Sequence, residues 1–339
     1  MRLIKTEDAV GHVLCHDMTQ IIKDQYKDAR FRKGHVVTEE DIPVLLSMGK
    51  EHLYVWEMTP GMVHENDAAE RLLALCGQEN MIRSGVKEGK IELKAACDGV
   101  FLVDSARLVA VNSQDEVMIA TRKGGTAVRE GDKLAGMRVI PLIIEEEKLR
   151  KAEQAAGDKP LLSLKPYVRK TACIVATGGE VKKGLIKDTF TPVVIDKLKT
   201  YGIETLEVVY SGDGVENVRD AVLAMREKKP DMILCTGGMS VDPDDNTPGG
   251  IKAAGANIIA YGAPVLPGAM FLLGYFDDGM PVMGLPGCVM YAGATVFDLV
   301  LPKIAADVPV TRADLAALSE GGLCLGCKPC HYPICPFGK

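Results

Sequence analysis

The chain has 339 residues, a formal net charge of −6 and an apolar share of 47%. Those values belong to an ordinary globular protein with room for more than one domain, and they exclude a broad polyphosphate-binding surface of the kind that grips nucleic acid. Any anion site must therefore be local and built largely from backbone N–H groups.

The opening MRLIKTEDAVGHVL lacks the basic-then-apolar pattern of a secretion signal, so a cytoplasmic location is expected. The segment FRKGHVVTEEDIPVLLSMGKEHLYVWE (31–57) predicts a short basic strand, a Thr38 cap with Asp41 three residues on, a helix to Met48, a Gly49 stop and a strand. Residues 1–60 read as one α+β segment. The alternation of VFLVDSARLVAVNSQDEVMIATRKGG predicts a small β-rich module within 61–150, with no spacing suited to catalysis. The Glu-, Lys- and Ala-rich stretch 143–160 ends in Gly-Asp-Lys-Pro, the pattern of a solvated helix and its stop. It marks the boundary between two halves.

Beyond it the pattern is α/β. TACIVAT (171–177) is a strand ended by Gly178-Gly179, and a helical pattern follows through Ile195, Leu198 and Tyr201 to Gly202. ETLEVVY (204–210), DMILCTG (231–237), NIIAY and PVMGLP read as further strands, 215–229 as an amphipathic helix, and CVMYAGATVFDLVLPKI as a closing helix. Strands separated by such helices pair mostly in parallel with helices on both faces, which predicts a three-layer α/β/α fold. The apolar run 258–276 approaches membrane-spanning length, but Pro264, Pro267 and its glycines fit two short buried strands around a turn. No membrane segment is expected.

Ligands of such sheets collect outside the carboxyl ends of the strands. Three loops fall there: 178–188, 237–247 and 284–287. LPGC (285–288) turns from strand to helix and leaves first-turn N–H groups free to hold a phosphate, and Thr236-Gly237-Gly238 offers a second set of donors. Each alone reads more readily as a plain turn; three at one edge point to a ligand. The carboxylates Glu180, Asp188, Asp213, Asp242, Asp244 and Asp245 accompany them, either as turn caps or as groups that hold Mg²⁺ or accept from a nitrogen-rich heterocycle. No Ser-His-Asp order, zinc-protease motif or Walker lysine loop supports catalysis by a side-chain nucleophile.

ATGGEVKKGLIKDTF, CTGGMSVDPDDNTPGGI and MGLPGCVMYAGATVFDLVLPKI, in that order and spacing, resemble the molybdopterin-binding domain shared by molybdopterin molybdenumtransferase and the molybdopterin adenylyltransferases, over about residues 166–310. FRKGHVVTEEDIPVLLSMGKEHLYV is similar, more loosely, to the insertase segment that precedes this domain. The resemblance implies an enzyme of molybdenum cofactor biosynthesis that inserts molybdenum, from molybdate, into adenylylated molybdopterin with the help of Mg²⁺. It implies Asp188, Asp213 and Asp245 as catalytic groups, with Asp188 and Asp245 on the metal. The implied pterin site is lined by Gly178, Gly179, Glu180, Thr236, Gly237, Gly238, Ser240, Gly268, Pro286 and Gly287. A homo-oligomer is implied as well.

Three features depart from the family pattern: Cys288-Val289 replaces the Asn-Pro of LPGNP, Gly179 replaces the Asp of TGDE, and the separate insertase domain has no counterpart beyond Asp98-Gly99. They leave a non-catalytic carrier or chaperone, handing cofactor to a molybdoenzyme, as the alternative.

The Cys-rich tail, 320–339, places Cys324, Cys327, Cys330 and Cys335 in GLCLGCKPCHYPICPFGK. This spacing suits a zinc or iron–sulfur site, with a reduced flexible tail as the alternative. The other six cysteines are scattered singly, and Cys173 and Cys235 in strand-like runs read as buried thiols.

Overall fold

The computed structural model describes residues 2–22, 26–55, 60–243 and 245–339, apart from the Tyr26 side chain. Asp244, Trp56 and Glu57, which figure in the expectations above, lie outside the described residues. Two compact units emerge: Met1–Ala96, Val103–Gly124 and Gly131–Ser163 make one, and Cys97–Leu102, Gly125–Glu130 and Leu164–Lys339 make the other.

The first unit begins with β1 (Arg2–Lys5), β2 (Met18–Ile22), β3 (Tyr26–Phe31), α1 (Asp41–Ser47) and β4 (His52–Val55). β1 pairs antiparallel with β4, and β2 with β3; Leu14, Leu45, Leu53 and Val55 close a small core. The expected Thr38 cap is not made, because α1 starts at Asp41 with Glu40 at its cap position; the Thr38 amide and hydroxyl instead both donate to the Asp41 carboxylate at 2.8 Å. Next come β5 (Met62–His64), α2 (Glu65–Cys76), β6 (Met81–Arg83), β7 (Ile91–Ala95), β8 (Gly99–Val103), α3 (Ser105–Asn112), β9 (Val117–Thr121), β10 (Thr126–Val128), β11 (Lys133–Val139), β12 (Ile143–Glu145) and α4 (Glu146–Ala156). Strands order as β6-β7-β11-β9 in one sheet.

Here the β-rich expectation needs correcting, because α3 occupies the middle of the supposed alternation. Asp104 accepts from the Arg107 amide at 3.1 Å, an N-terminal cap that starts a helix over Ser-Ala-Arg-Leu. β8 and β10 pair with each other, in a sheet with β13 (Leu162–Pro166), so the stretches 97–102 and 125–130 group with the second unit. The expected linker helix is α4, ended by Gly157.

The second unit continues with β14 (Thr171–Thr177), α5 (Gly179–Lys182), α6 (Phe190–Lys199), β15 (Glu204–Ser211), α7 (Val215–Glu227), β16 (Met232–Thr236), α8 (Thr247–Ala253), β17 (Asn257–Tyr261), β18 (Leu272–Tyr275), β19 (Pro281–Leu285), α9 (Val296–Ala305) and α10 (Arg312–Ala316). Among the described residues six strands order as β15-β14-β16-β19-β18-β17. The first four run parallel, and β18 is antiparallel to both its neighbours.

Side chains alternate between two cores, as strand geometry demands. Ala172, Ile174, Met232 and Leu234 join Val194, Leu198, Phe297 and Leu301 on one face. Cys173, Val175, Ile233 and Cys235 join Val218, Val222 and Ile251 on the other. Helices thus cover both faces, and the fold is the three-layer α/β/α sandwich expected. Both strand cysteines are fully buried, and burial pushes the Cys235 thiol up to about 12, so it stays protonated and packs as a small hydrophobe. Among the described residues no helix is long and apolar enough to cross a membrane.

One expectation and one alternative fail at the C-terminal side. The closing helix is broken: a four-residue 3₁₀ turn (Gly287–Met290) precedes α9, which opens on a capping box between Thr295 and Asp298. The tail is docked rather than loose. Phe337 is 3% exposed within the core cluster, Cys324 N donates to Leu266 O at 2.8 Å, and the Tyr332 hydroxyl donates to Asp298 O at 3.0 Å.

Candidate functional site

Strands β14, β15, β16 and β19 end at Thr177, Ser211, Thr236 and Leu285 along one edge, and hydrogen bonds tie the loops that leave them. The buried Thr177 hydroxyl donates to Thr236 O at 2.9 Å and lies 3.0 Å from the Thr247 hydroxyl, which donates to Gly237 O at 2.9 Å. This clamp presses the TGG turn onto β14. Gly237 and Gly238 have φ of +81° and +55°, and a Cβ on Gly237 would stand 2.4 Å from Thr177 O. Only glycine satisfies both conditions. Tyr261, at the end of β17, donates its hydroxyl to Met239 O at 2.9 Å and braces the same loop. Ser240 is exposed beside it, its carbonyl 3.3 Å from that hydroxyl.

The carboxylates divide by what donates to them. Asp213 Oδ2 accepts the Gly179 amide at 2.9 Å, and a Cβ on Gly179 would meet that oxygen at 2.7 Å. A side chain at Gly179 would therefore displace the Asp213 carboxylate from this contact. Asp188 precedes the Thr189 cap position of α6, its Oδ1 accepting from Phe190 N at 2.9 Å and Thr191 N at 3.0 Å in the first turn, with the Tyr210 hydroxyl 3.3 Å from Oδ2. Burial pushes the Asp188 carboxyl up, but the bonds from Thr191, Phe190 and Tyr210 together hold it below the ordinary carboxylate range. Asp245 is different. Among the described residues its carboxylate accepts a single long bond, 3.4 Å from Asp242 N, and it is half-buried next to Tyr261, whose hydroxyl is pushed up by burial and then by the Asp245 charge. Asp245 and Asp213 each accept one bond and keep acceptor capacity to spare, whereas both Asp188 oxygens have partners. Glu180 is exposed on α5, and Asp242 is exposed in its loop.

The Gly287 end is a turn of four residues, so its anion-holding capacity rests on individual amides and not on a helix dipole. Pro286 is buried and Gly287 exposed. Cys288 is half-buried, and burial together with the charge of Asp298 pushes its thiol up, which keeps a second negative charge away. The Thr189 hydroxyl lies 3.1 Å from Met290 Sδ, so the loop before α6 and the turn after β19 are neighbours. Gly268 is buried, with a Cβ there 2.6 Å from Val296 Cγ1, and serves close packing on α9.

Metal expectations fare less well. Among the described residues no three His, Cys, Asp or Glu side chains gather into a group able to hold a metal. Cys324 and Cys335 pack against the core cluster while Cys327 and Cys330 are exposed, and all four are free thiols. The four-thiolate site expected from their spacing is thus not assembled. Hydrophobic burial claims two of the sulfurs and Cys330 lies against Gly293, where a Cβ would meet its Sγ at 2.7 Å.

Several residues went unnoticed in the sequence. Thr177 and Thr247 clamp the TGG turn, Tyr210 and Tyr261 brace neighbouring loops, and Lys197 pairs with Asp298 while reaching Gly293 O at 3.4 Å. Position was their available signal: Thr177, Tyr210 and Tyr261 all sit at carboxyl ends of strands. Lys182 adds local positive charge, since a side chain built at Gly212 would meet its Nζ at 3.8 Å.

Comparison with known proteins gives two family matches. Residues 173–306 match a family described as a probable molybdopterin binding domain, which bears out the resemblance drawn from the three motifs. Residues 3–57 match a domain of unknown function, DUF8806. A CinA-like protein of Mycobacterium tuberculosis is 33% identical over 76 residues, covering 22% of this chain and 18% of that one. Another from Petrotoga mobilis is 32% identical over 76 residues, covering 22% and 19%. The chain therefore spans under a fifth of the length of these curated relatives. Among solved structures, a CinA protein of Thermoplasma acidophilum with unknown function shares 18% identity over 40% of this chain and 98% of its own, at a TM-score of 0.34. A molybdopterin biosynthesis MoeA protein of Pyrococcus horikosii shares 17% identity over 80% and 79%, also at 0.34.

Proposed function

We propose that the edge formed by the three loops binds the phosphate-bearing pterin molybdopterin, and that the protein works in molybdenum cofactor assembly. The reading is carried by one coincidence: the 173–306 family match covers the domain whose glycine-bearing loops are drawn together at a single sheet edge. Amides of the LPG turn and the TGG loop hold the phosphate and the pterin, with Lys182 as a nearby cation. Asp188 and Asp213, whose carboxylates accept from loop amides, position the site. Asp245 meets the ligand.

The finer reading is molybdenum insertion. Water cleaves the phosphoanhydride of adenylylated molybdopterin, AMP departs, and molybdate joins the dithiolene. Mg²⁺, when bound, supplies charge stabilisation for that cleavage, and such sites take one or two protein carboxylates with phosphate and water oxygens completing the shell. Asp245 is the carboxylate assigned to it. A recipient molybdoenzyme and a homo-oligomer belong to the same reading.

The test is incubation of the purified protein with molybdopterin and with its adenylylated form, followed by assay of bound pterin and free AMP. Uptake with AMP release is expected, and Asp245→Ala should abolish the release while leaving the circular dichroism spectrum unchanged. Uptake without AMP release selects the carrier. Failure to take up either form overturns the pterin reading.

A further inference from the structure

The N-terminal unit contains a cleft of its own. It has a volume of about 710 Å³, opens between residues 29–35 and the start of α1, and is lined by Arg30, Phe31, Arg32, Lys33, His35 and Asp41, with Glu40 on its wall. A cleft of roughly 300–1,000 Å³ is the size range of small-molecule sites.

Its charges do not cancel. Asp41 is consumed by the wall, accepting from Thr38 at 2.8 Å and lying 2.7 Å from His35 Nε2. Lys33 is engaged as well, its Nζ 3.1 Å from His64 Nδ1. Arg30 and Arg32 are exposed, and neither pairs with a carboxylate among the described residues. Against these two guanidinium groups stand the exposed Glu40 and, on the strand that carries Arg30, Asp28, whose charge is shared with Lys87. On a chain of net charge −6, such a local excess has to be built.

The backbone shows how it is built. In the β2–β3 pair Met18 stands opposite Phe31 but Thr19 opposite Ala29, so Arg30 is the extra residue of a β-bulge. Bulges redirect a side chain and recur beside binding sites. The following turn is anchored: His35 N donates to Arg32 O at 3.0 Å, and Gly34, at φ +89°, donates to Leu14 O at 2.9 Å. The His35 ring, fixed by Asp41, lies 5.2 Å from the Phe31 ring and gives the cleft an aromatic wall.

We propose that this cleft binds a small phosphate-bearing molecule through the guanidinium groups of Arg30 and Arg32. Two forks of parallel N–H donors match the oxygens of a phosphoryl dianion, which a single lysine would meet only as a point charge. The aromatic wall accepts an apolar or ring-bearing remainder. This site is independent of the pterin reading, because every residue in it belongs to the unit that lacks the molybdopterin-binding match.

The experiment titrates inorganic pyrophosphate into the full chain at fixed pH and follows the six histidine imidazole resonances, with His35 assigned from His35→Gln. A saturable shift of His35 is expected while His12, His52 and His331 hold still. Arg30→Gln and Arg32→Gln should each weaken the apparent affinity at least tenfold, and Arg150→Gln, on the exposed face of α4, should leave it unchanged. Phosphate held elsewhere on the chain would leave His35 unmoved, and that result overturns the proposal. So does an undiminished His35 shift in the double arginine variant.

Discussion

What a carboxylate does here is set by its donors, and Asp188 makes the point. Sequence placed it among the metal-holding groups, and in the fold two first-turn amides of α6 and a tyrosine hydroxyl are its donors. Its folded pKa lies below that of an unfolded Asp, which is about 3.9. Stability from this group is therefore fully present above about pH 4 and is lost as pH falls through the lower folded value. Asp188→Ala should cost about 1 kcal/mol at pH 7, in the usual range for a lost cap. Thermal melts of both proteins across pH should show the gap closing below pH 4; a gap constant down to strong acid would mean the carboxylate is not the stabilising species. The glycines of TGG were legible because their φ requirement is local, while the contact at Gly179 was not, since it comes from Asp213, 34 residues away.

At the scale of elements, strands were read more securely than the breaks between helices. TACIVAT and MILCT are buried on both faces, so each shows an unbroken apolar run that periodicity finds. The interruption of the closing helix is set by partners outside it. Gly293 receives Cys330 and the Lys197 amine, and the helix restarts at the Thr295 cap. The tail follows the same logic, for nothing local in CPFGK says that Phe337 will be buried in a core whose other buried members run from Ala172 to Leu315. Phe337→Ala should cost about 3 kcal/mol, as large-to-small changes in cores do. Ile334→Ala, at a side chain 88% exposed, should stay within about 0.5 kcal/mol. Urea midpoints measure both, and equal effects would mean that the tail is not docked as described.

For the molecule as a whole, the matched stretch and the folded unit differ. The family match stops at residue 306, yet Val310, Leu315 and Phe337 are at most 3% exposed within the same core. A fragment of 166–310 should therefore unfold at a lower urea concentration than one of 164–339, by a margin equivalent to several kcal/mol, since each large apolar side chain stripped from a core costs roughly 2–5 kcal/mol. Equal midpoints would show the C-terminal segment to be dispensable.

By itself the sequence determined what depends on neighbours along the chain: the α/β alternation, the edge to which the ligand loops belong, and the three motifs that resemble a molybdopterin-binding domain. The tertiary structure decided which donors each acid meets, how the four tail cysteines are parted, and that Arg30 on a bulged strand and Arg32 just past it line one cleft. Periodicity records whether a position is buried, but sheet order and loop packing choose the partner that a side chain meets, and that partner fixes its chemistry.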